Sequence, residues 1–186
     1  MSLKILNNTM RLIQINETKD KLTLVKLPFN TGDLEPVMEK DTVEFHYNVL
    51  SRGYVDRYNN SEGDLEFNKA GALLHNLWWP QLKKPKISNS PQGTSKDFIE
   101  KHFNSFEDFK DEFNDIAAKI QGSGWCYLAK DGSIKTIANH KWRNDIIILI
   151  DCWEHSYYLD YPADKKKYLR NIWKIINWDI INDRLE

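Results

Sequence analysis

Apolar and aromatic residues recur at helical spacing through two stretches of the N-terminal half of the chain. The first stretch begins near Met38, and the second covers residues 65–79, after which Pro80 ends it. The repeating face carries Val43, His46, Tyr47, Leu50, Tyr54 and Tyr58 in the first stretch, and Phe67, Ala70, Leu74, His75 and Trp78 in the second. Because a polar turn at residues 59–64 joins the stretches, the pattern predicts two antiparallel helices. His46 and His75 can then face each other.

The C-terminal half changes from helical to strand periodicity. Residues 97–102 predict a short helix, and Ser105 is the candidate N-cap of a helix that continues to about Ile120. Strands are predicted at residues 125–129, 134–140 and 146–151, and a closing helix at residues 168–178. We therefore predict an α+β fold, in which an N-terminal antiparallel helical hairpin precedes an α/β domain with a three-stranded antiparallel sheet.

A stretch rich in Pro, Ser, Asn and Lys at residues 83–95 is the candidate linker between two domains. It predicts a helical hairpin domain at residues 26–90 and a C-terminal α/β domain at residues 91–186. Residues 1–25 form an N-terminal extension. Their two apolar–polar alternations fit either a β-hairpin or a loose arm.

The composition is that of an ordinary globular protein. The 186 residues are 41% hydrophobic and 28% charged with a net charge of −1, a balance that indicates no nucleic acid and no membrane as partner. The sequence lacks an apolar stretch of the ~20 residues that span a bilayer, and its N-terminus lacks the apolar region of a signal peptide. Cys126 and Cys152 stand in apolar strand contexts and are interpreted as buried thiols. These features predict a cytoplasmic protein, with organellar import left open.

Polar groups at the end of the most apolar strand are the first indication of chemistry. Five aliphatic residues at 146–150 run directly into Asp151, and His155 follows. A buried carboxylate and imidazole need partners, and a metal ion is one such partner. With His46 and His75 they form a set of three imidazoles and one carboxylate, which suits a first-row transition metal. From the residues alone a zinc hydrolase is also consistent with this set, although no general base stands apart from the ligands.

Several motifs resemble the iron/manganese superoxide dismutases. They are Glu44-Phe45-His46-Tyr47 with Gly53-Tyr54-Val55, Leu74-His75-Asn76-Leu77-Trp78-Trp79, Gly122-Ser123-Gly124-Trp125 and Asp151-Cys152-Trp153-Glu154-His155-Ser156-Tyr157-Tyr158. The last string contains D-x-W-E-H-x-Y-Y, the signature of that family. The resemblance covers about residue 26 to the end of the chain, and the family's fold agrees with the predicted layout.

The resemblance implies a superoxide dismutase that converts superoxide to hydrogen peroxide and oxygen by redox cycling of one Fe or Mn ion. The implied metal ligands are His46, His75, Asp151 and His155. Superoxide would be the small-molecule substrate, and the protein would be a homodimer. A catalytically weak or inactive metal-binding relative is the alternative.

The resemblance also implies roles for residues around the metal. The implied catalytic residues are Tyr54, at the mouth of the substrate funnel, and His140, which would donate a hydrogen bond to a water bound as the fifth ligand of the metal. The active-site wall would consist of Trp79, Trp125 and Trp153, the dimer interface would include Glu154 and Tyr158, and the cation guiding the substrate would be Lys165.

The chain departs from the usual family pattern at the mouth of this implied site. Where the family has a Gln beside the metal, the helix position is Gly71 and the sheet position is His140, so Fe and Mn both stay open. Leu50 replaces the usual funnel-mouth His. Only 20 residues separate Tyr54 from His75, which indicates a shortened hairpin, and the connection from His140 to Asp151 is compressed.

Overall fold

The structure, a computed structural model, describes residues 21–186, and its first helices form the predicted helical hairpin. One arm consists of α1 (Lys40–Phe45), a π-helical segment (His46–Ser51) and α2 (Arg52–Asn59). The other arm is α3 (Leu65–Trp78), which a 3-10 turn (Trp79–Gln81) extends. Asp64 caps α3, because its carboxylate accepts the N–H of Phe67 at 3.0 Å. The predicted antiparallel pair and its polar turn are confirmed.

The π-helical segment was not predicted, and it changes which residues of the first arm share a face. A π-type turn inserts one extra residue into the helical repeat. Residues eight apart, rather than about seven apart, therefore return to the same side of the arm. His46 and Tyr54 have this spacing, and both are buried. Val49 lies between them and is 53% exposed.

A three-stranded antiparallel sheet with strand order β2-β1-β3 forms the centre of the C-terminal half. Its strands are β1 (Gly124–Ala129), β2 (Ile134–Ala138) and β3 (Ile146–Asp151), and the helices α4 (Thr94–Phe103) and α5 (Phe106–Ala118) precede them. Every residue of β1 and β3 is buried, as expected for strands covered on both faces. Trp125 is paired opposite Asp151. The predicted fold class is confirmed, and an indole lies beside the carboxylate that ends β3.

The prediction of a single closing helix at residues 168–178 is wrong. The chain forms α6 (Lys165–Ile172), a 3-10 turn (Trp173–Ile175) and a separate helix α7 (Trp178–Leu185). The break occurs because the backbone here pairs with residues 81–83: Ile176 forms a β-bridge with Leu82, and the N–H of Asn177 donates to the main-chain oxygen of Gln81 at 2.7 Å. Apolar residues continue through the break at helical spacing, so the periodicity did not reveal it.

Side-chain amides fasten the segment before the hairpin to both helical arms. Asn59 accepts the N–H of Leu22 and donates to its main-chain oxygen, both at 2.8 Å. Asn76 accepts the N–H of Val25 at 2.8 Å and donates to the main-chain oxygen of Thr23 at 2.7 Å. Most of the possible β-hairpin at residues 1–25 lies outside the described residues. The described part runs along the helical arms and is held there by these amides.

Two buried polar side chains close the edge of the sheet at β3. The side-chain amide of Gln81 accepts the N–H of Leu149 at 3.2 Å and donates to its main-chain oxygen. Nη1 of Arg184, on α7, donates to Gln81 at 2.8 Å and to the main-chain oxygen of Ile147 at 2.7 Å. The helix that the periodicity missed thus supplies the cation that fixes the strand ending in Asp151.

Both cysteines, Cys126 and Cys152, are buried free thiols, as predicted. Within residues 21–186, none of the helices has the length and hydropathy that crossing a bilayer requires. The boundary between domains near residue 90 stays a prediction.

Candidate metal centre

Four side chains from four different elements converge on one buried point. His46 comes from the π-helical segment, His75 from α3, Asp151 from the end of β3, and His155 from a 3-10 turn (Glu154–Ser156). Their potential ligand atoms all lie within 4.8 Å of one another. The sequence predicted this set, and the structure brings all four together.

The spacing of these atoms fits a single metal ion. The Nε2 atoms of His46 and His75 are 2.9 Å apart, and Oδ2 of Asp151 lies 3.3 Å from the first and 3.6 Å from the second. Nε2 of His155 is 3.4 Å from the same oxygen. Metal–ligand bonds of about 2.1 Å place neighbouring ligand atoms roughly 3.0–3.6 Å apart. Within the described residues, Asp151 Oδ2 and His155 Nε2 are buried without a hydrogen-bond partner. A metal ion bound to both atoms would satisfy them.

Hydrogen bonds to the far side of two of these side chains, His75 and Asp151, fix their orientation. Nδ1 of His75 lies 2.7 Å from the main-chain oxygen of Gly71 and donates to it, which directs Nε2 inward. Oδ1 of Asp151 accepts the N–H of Trp153 at 2.8 Å, which directs Oδ2 inward. The hydroxyl of Tyr168 donates to the main-chain oxygen of Asp151 at 2.9 Å. Tyr168, a fully buried support of the ligand strand, was not predicted.

His46, His75 and Asp151 are already in the protonation state that metal binding requires. Burial lowers the pKa of His46 to about 4, and it lowers the pKa of His75 well below its usual value. Burial acts to raise the pKa of Asp151, but the imidazoles of His155 and His46 outweigh it and hold that pKa below its usual range. At neutral pH these side chains therefore present imidazole lone pairs and a carboxylate to a cation.

Indoles surround the ligands, as the resemblance implied. Trp79 and Trp125 are fully buried, with ring centroids 4.8 Å from His46 and 5.0 Å from His75. Nε1 of Trp79 donates to Ser51 at 3.0 Å, and Ser51 donates in turn to the main-chain oxygen of His46 at 2.9 Å. This connection of wall, π-helical segment and ligand was not predicted, because it depends on the π-helical turn.

His140 packs beside the ligand group with a defined tautomer, its ring centroid 5.8 Å from that of His75. Nε1 of Trp125 donates to Nδ1 of His140 at 3.1 Å, so the proton of the neutral ring is on Nε2. Burial lowers the pKa of His140 to about 4, which keeps the ring neutral at pH 7. Nε2 is buried and has no partner among the described residues. The ring stacks on Trp153 with centroids 4.4 Å apart. His140 thus offers one N–H donor to an occupant of the site.

Tyr54 packs against His140, and Gly71 makes room for it. The Tyr54 ring lies 4.6 Å from the ring of His140 and 5.4 Å from that of His75. A Cβ atom at Gly71 would lie 2.9 Å from the Tyr54 ring and 3.1 Å from Cδ2 of His140. Burial, with a further contribution from the charge of Asp151, raises the pKa of Tyr54 to about 12. The phenol is therefore protonated at neutral pH.

The structure does not bring Lys165 to this group. Nζ of Lys165 donates to the main-chain oxygen of Ile120 at 3.2 Å, just beyond α5. Its charge acts on the buried thiols of Cys126 and Cys152, whose pKa values burial raises. The cation beside Tyr54 is Arg57, which sequence reasoning missed. Its spacing of three residues from Tyr54 on one helix was the available signal.

Glu154 and Tyr158, the predicted interface residues, lie on the outside of the ligand turn. Both are exposed, and Tyr158 keeps 52% of its surface accessible. Leu159 beside them is 64% exposed. This surface leaves room for a partner next to His155.

Two family models match the chain. The model described as "Iron/manganese superoxide dismutases, alpha-hairpin domain" matches residues 21–66, and "Iron/manganese superoxide dismutases, C-terminal domain" matches residues 91–184. These ranges contain three of the four ligand candidates. His75 lies between them, in the arm that the sequence predicted to be shortened.

Curated relatives agree with the family models. The chain is 36% identical to "Superoxide dismutase [Mn/Fe]" of Porphyromonas gingivalis, with 87% of this chain and 97% of the relative covered. It is 31% identical to "Superoxide dismutase [Fe]" of Pyrobaculum aerophilum, with 91% and 94% covered. It is 32% identical to "Superoxide dismutase [Mn/Fe]" of Aeropyrum pernix, with 88% and 90% covered.

Proposed function

The chain belongs to the iron/manganese superoxide dismutases, and from this membership we propose how its own residues carry out the dismutation of superoxide. The reaction converts two superoxide anions and two protons to hydrogen peroxide and oxygen. The ligands of one Fe or Mn ion per subunit are His46, His75, Asp151 and His155. The observation that carries this assignment is the convergence of their ligand atoms within 4.8 Å, with Asp151 Oδ2 and His155 Nε2 buried and unpaired.

A bound Fe or Mn ion supplies the one-electron oxidation of one superoxide and the one-electron reduction of the next. The chain prepares the site for both trivalent and divalent ions, because one carboxylate stabilises the higher charge while three neutral imidazoles keep the lower charge accessible. The hydrogen bond between His75 and Gly71 and that between Asp151 and Trp153 hold these two metal ligands in place.

Protons for peroxide formation are held by His140 and Tyr54. Nε2–H of His140 is an unpartnered donor, and the phenol of Tyr54 is protonated at neutral pH. The two rings lie 4.6 Å apart, and we propose that they line the entrance through which superoxide reaches the metal ligands. We assign His140 as the hydrogen-bond donor to the reduced substrate and Tyr54 as the proton-bearing residue at the mouth.

Trp79, Trp125 and Trp153 form the apolar wall of the proposed site. Trp79 and Trp125 are fully buried, and Trp153 stacks on His140. Exclusion of water strengthens the electrostatic interactions of the ligand group with an anionic substrate.

We propose that the protein is a homodimer in which Glu154 and Tyr158 contact the partner subunit. The support is their exposure, and that of Leu159, on the turn that carries His155. We also propose a cytoplasmic location, supported by the two buried free thiols.

Either Fe or Mn suits the residues at the entrance. The donor comes from the sheet side at His140, and Gly71 on the helix side leaves the space that His140 and Tyr54 occupy. The names of the relatives include both Fe and Mn/Fe enzymes. We therefore propose that both metals support turnover in this chain.

Metal analysis combined with activity measurements tests the proposed function. The protein as isolated is analysed for Fe, Mn and Zn, stripped, and reloaded with each metal separately. The expected result is about one ion per subunit and catalysed superoxide consumption by the Fe and Mn forms, but not by the Zn form. Loss of superoxide at the rate given by the same amount of free metal would reject the assignment.

A further inference from the structure

Arg57 lies at the solvent edge of the entrance. Its Cζ atom is 4.9 Å from the centroid of the Tyr54 ring. Residues three apart on a helix project from the same side, and both residues are on α2. Arg57 is exposed, whereas Tyr54 is only 7% exposed. The guanidinium therefore lies on the solvent side of the Tyr54 phenol, and the Tyr54 ring contacts the metal ligand His75.

Two neighbours hold the guanidinium in this position. Nε of Arg57 donates to Oδ1 of Asn68 at 3.0 Å, and Asn68 is itself 3% exposed and donates to the main-chain oxygen of Glu62 at 3.0 Å. On the other side Nη1 lies over Gly53, where a Cβ atom would be only 2.9 Å away. The buried amide of Asn68 and the absence of a side chain at Gly53 thus fix the position of the guanidinium on the helix surface.

The charge of Arg57 is not neutralised by a local ion pair. Across the described part of the chain, no carboxylate forms a salt bridge with Arg57. Its bond to Asn68 uses Nε and a neutral acceptor. The Nη groups of a guanidinium keep their own N–H donors in this arrangement, and such donors suit a small anion.

The field of this guanidinium reaches the residues of the entrance. Burial and the charge of Asp151 raise the pKa of Tyr54, and the charge of Arg57 acts in the opposite direction. Burial is the main reason for the lowered pKa of His140, and Arg57 contributes to it in the same direction. Lys165, in contrast, acts on the two buried thiols and donates to Ile120.

We propose that Arg57 is the anion-capture residue of this enzyme, which attracts superoxide to the entrance and delivers it past Tyr54 to the metal ligands. The inference rests on the proposed function, because it names the residue that guides the substrate of that site. A fixed cation at the rim of a narrow, apolar entrance raises the local concentration of a monovalent anion and its rate of encounter. Arg57 acts on encounter and not on the chemical step.

The test compares three substitutions in the metal-loaded protein, with metal content and thermal stability measured for each. Arg57→Gln removes the charge, Arg57→Lys keeps it, and Arg52→Gln removes an equal charge from an exposed position on the same helix. The rate constant for superoxide is measured at about 10 mM and about 500 mM ionic strength, where screening lengths differ several-fold. In parallel, azide is titrated as a monovalent anion, and its Kd is read from the absorption of the metal.

Arg57→Gln is expected to lower the superoxide rate constant about fivefold at the lower ionic strength. It should raise the azide Kd by a similar factor, and both differences should shrink below about twofold at the higher ionic strength. Arg57→Lys should retain most of the rate, and Arg52→Gln should change it less than twofold.

Three results overturn the inference: the same salt dependence in Arg57→Gln and the unsubstituted enzyme, an equal loss in Arg52→Gln, or a loss that is unchanged at high salt. The last result would mean that Arg57 acts through structure rather than charge. If neither the Fe form nor the Mn form of the unsubstituted protein turns over superoxide, the proposed function fails instead. The azide titration then still decides whether Arg57 captures anions.

Discussion

Gly71 lies so close behind Tyr54 that a Cβ atom on it would be 2.9 Å from both Cγ and Cδ1 of the ring. The same atom would be 3.1 Å from Cδ2 of His140. The helix that carries His75 therefore has no side chain at this position, and the rings of Tyr54 and His140 fill the space. The hydrogen-bond donor at the entrance is therefore His140, which follows the sheet, because Gly71 on the helix has no side chain that could donate.

Gly71→Ala is expected to displace Tyr54 and His140. Alanine in a helix interior is favoured over glycine by about 1 kcal/mol, but forcing a methyl group into a filled space costs about 1–3 kcal/mol. We expect a net loss of stability up to about 2 kcal/mol and at least a tenfold lower superoxide rate, measured by urea unfolding and stopped flow. Gly32→Ala is the control, since the nearest atom to its Cβ is 3.9 Å away. A stabilised Gly71→Ala enzyme with full activity would show that the entrance is not tightly filled.

His75→Ala should abolish metal binding. It removes a fully buried ligand whose Nε2 is 2.9 Å from that of His46. The protein should contain less than a tenth of the metal, show no catalysed loss of superoxide, and lose the stabilisation that metal addition gives the unsubstituted chain. His102→Ala, an exposed imidazole on α4, should keep its metal. Full metal occupancy in His75→Ala would contradict the ligand assignment.

His140→Gln should shift the ratio of Fe-supported to Mn-supported activity while leaving the metal content similar. The imidazole donates through Nε2–H in one fixed tautomer, whereas a glutamine amide would place its donor differently and would not titrate. Both metal forms are assayed side by side, with His102→Gln as the matched control. An unchanged ratio would reduce His140 to a packing residue.

The metal-free protein should lose stability as the pH falls from about 6.5 to about 4. Burial lowers the folded-state pKa of His46 to about 4, so between these values the unfolded chain binds more protons than the native one. The stabilisation is complete above the unfolded pKa and is lost as the pH passes through the folded pKa, a difference of about 3 kcal/mol for His46. Urea unfolding of the stripped protein at a series of pH values measures it. A free energy of unfolding that stays constant from pH 6.5 to 4.5 would contradict the proposed buried neutral state.

Arg184→Met should destabilise the sheet edge by about 2 kcal/mol or more. The substitution keeps an apolar stem but leaves the main-chain oxygen of Ile147 without its buried side-chain donor, and it removes one of the two donors to Gln81. The free energy of unfolding of the metal-loaded protein is the measurement. Arg170→Met, at an exposed position of α6, should change it by less than about 0.5 kcal/mol. Equal effects of the two substitutions would mean that α7 does not hold the strand.

The ligand set could be predicted because its residues are polar and stand within apolar stretches of sequence. Asp151 ends a run of five aliphatic residues, and His46 and His75 interrupt apolar helix faces. Such groups need partners when buried, and the shared motifs indicated which partner. Fold class followed from periodicity alone, since two helical stretches and three short strands leave few arrangements.

What the sequence did not reveal depends on backbone pairing and on single exposed side chains. The apolar spacing of Ile172, Trp173 and Ile176 is helical, yet the backbone bridges to Leu82 instead. Arg57 stands three residues from Tyr54, but this signal is weak, because one arginine on an exposed helix face is ordinary. Lys165 was favoured from its place in the family, but the carbonyl of Ile120 binds its ammonium group.

The π-helical segment makes the first arm depend on its hydrogen-bond pattern as well as on its side chains. If the same residues formed an ordinary α-helix, each would account for about 100° of rotation, and residues eight apart would lie about 80° from one another around the axis. His46 and Tyr54 would then leave their common face, even with every side chain of the site unchanged. Deleting one residue between them would restore a spacing of seven and keep both on one face, whereas a one-codon insertion would turn the imidazole and the phenol to different sides of the arm, a lesion that no replacement of a neighbouring side chain repairs.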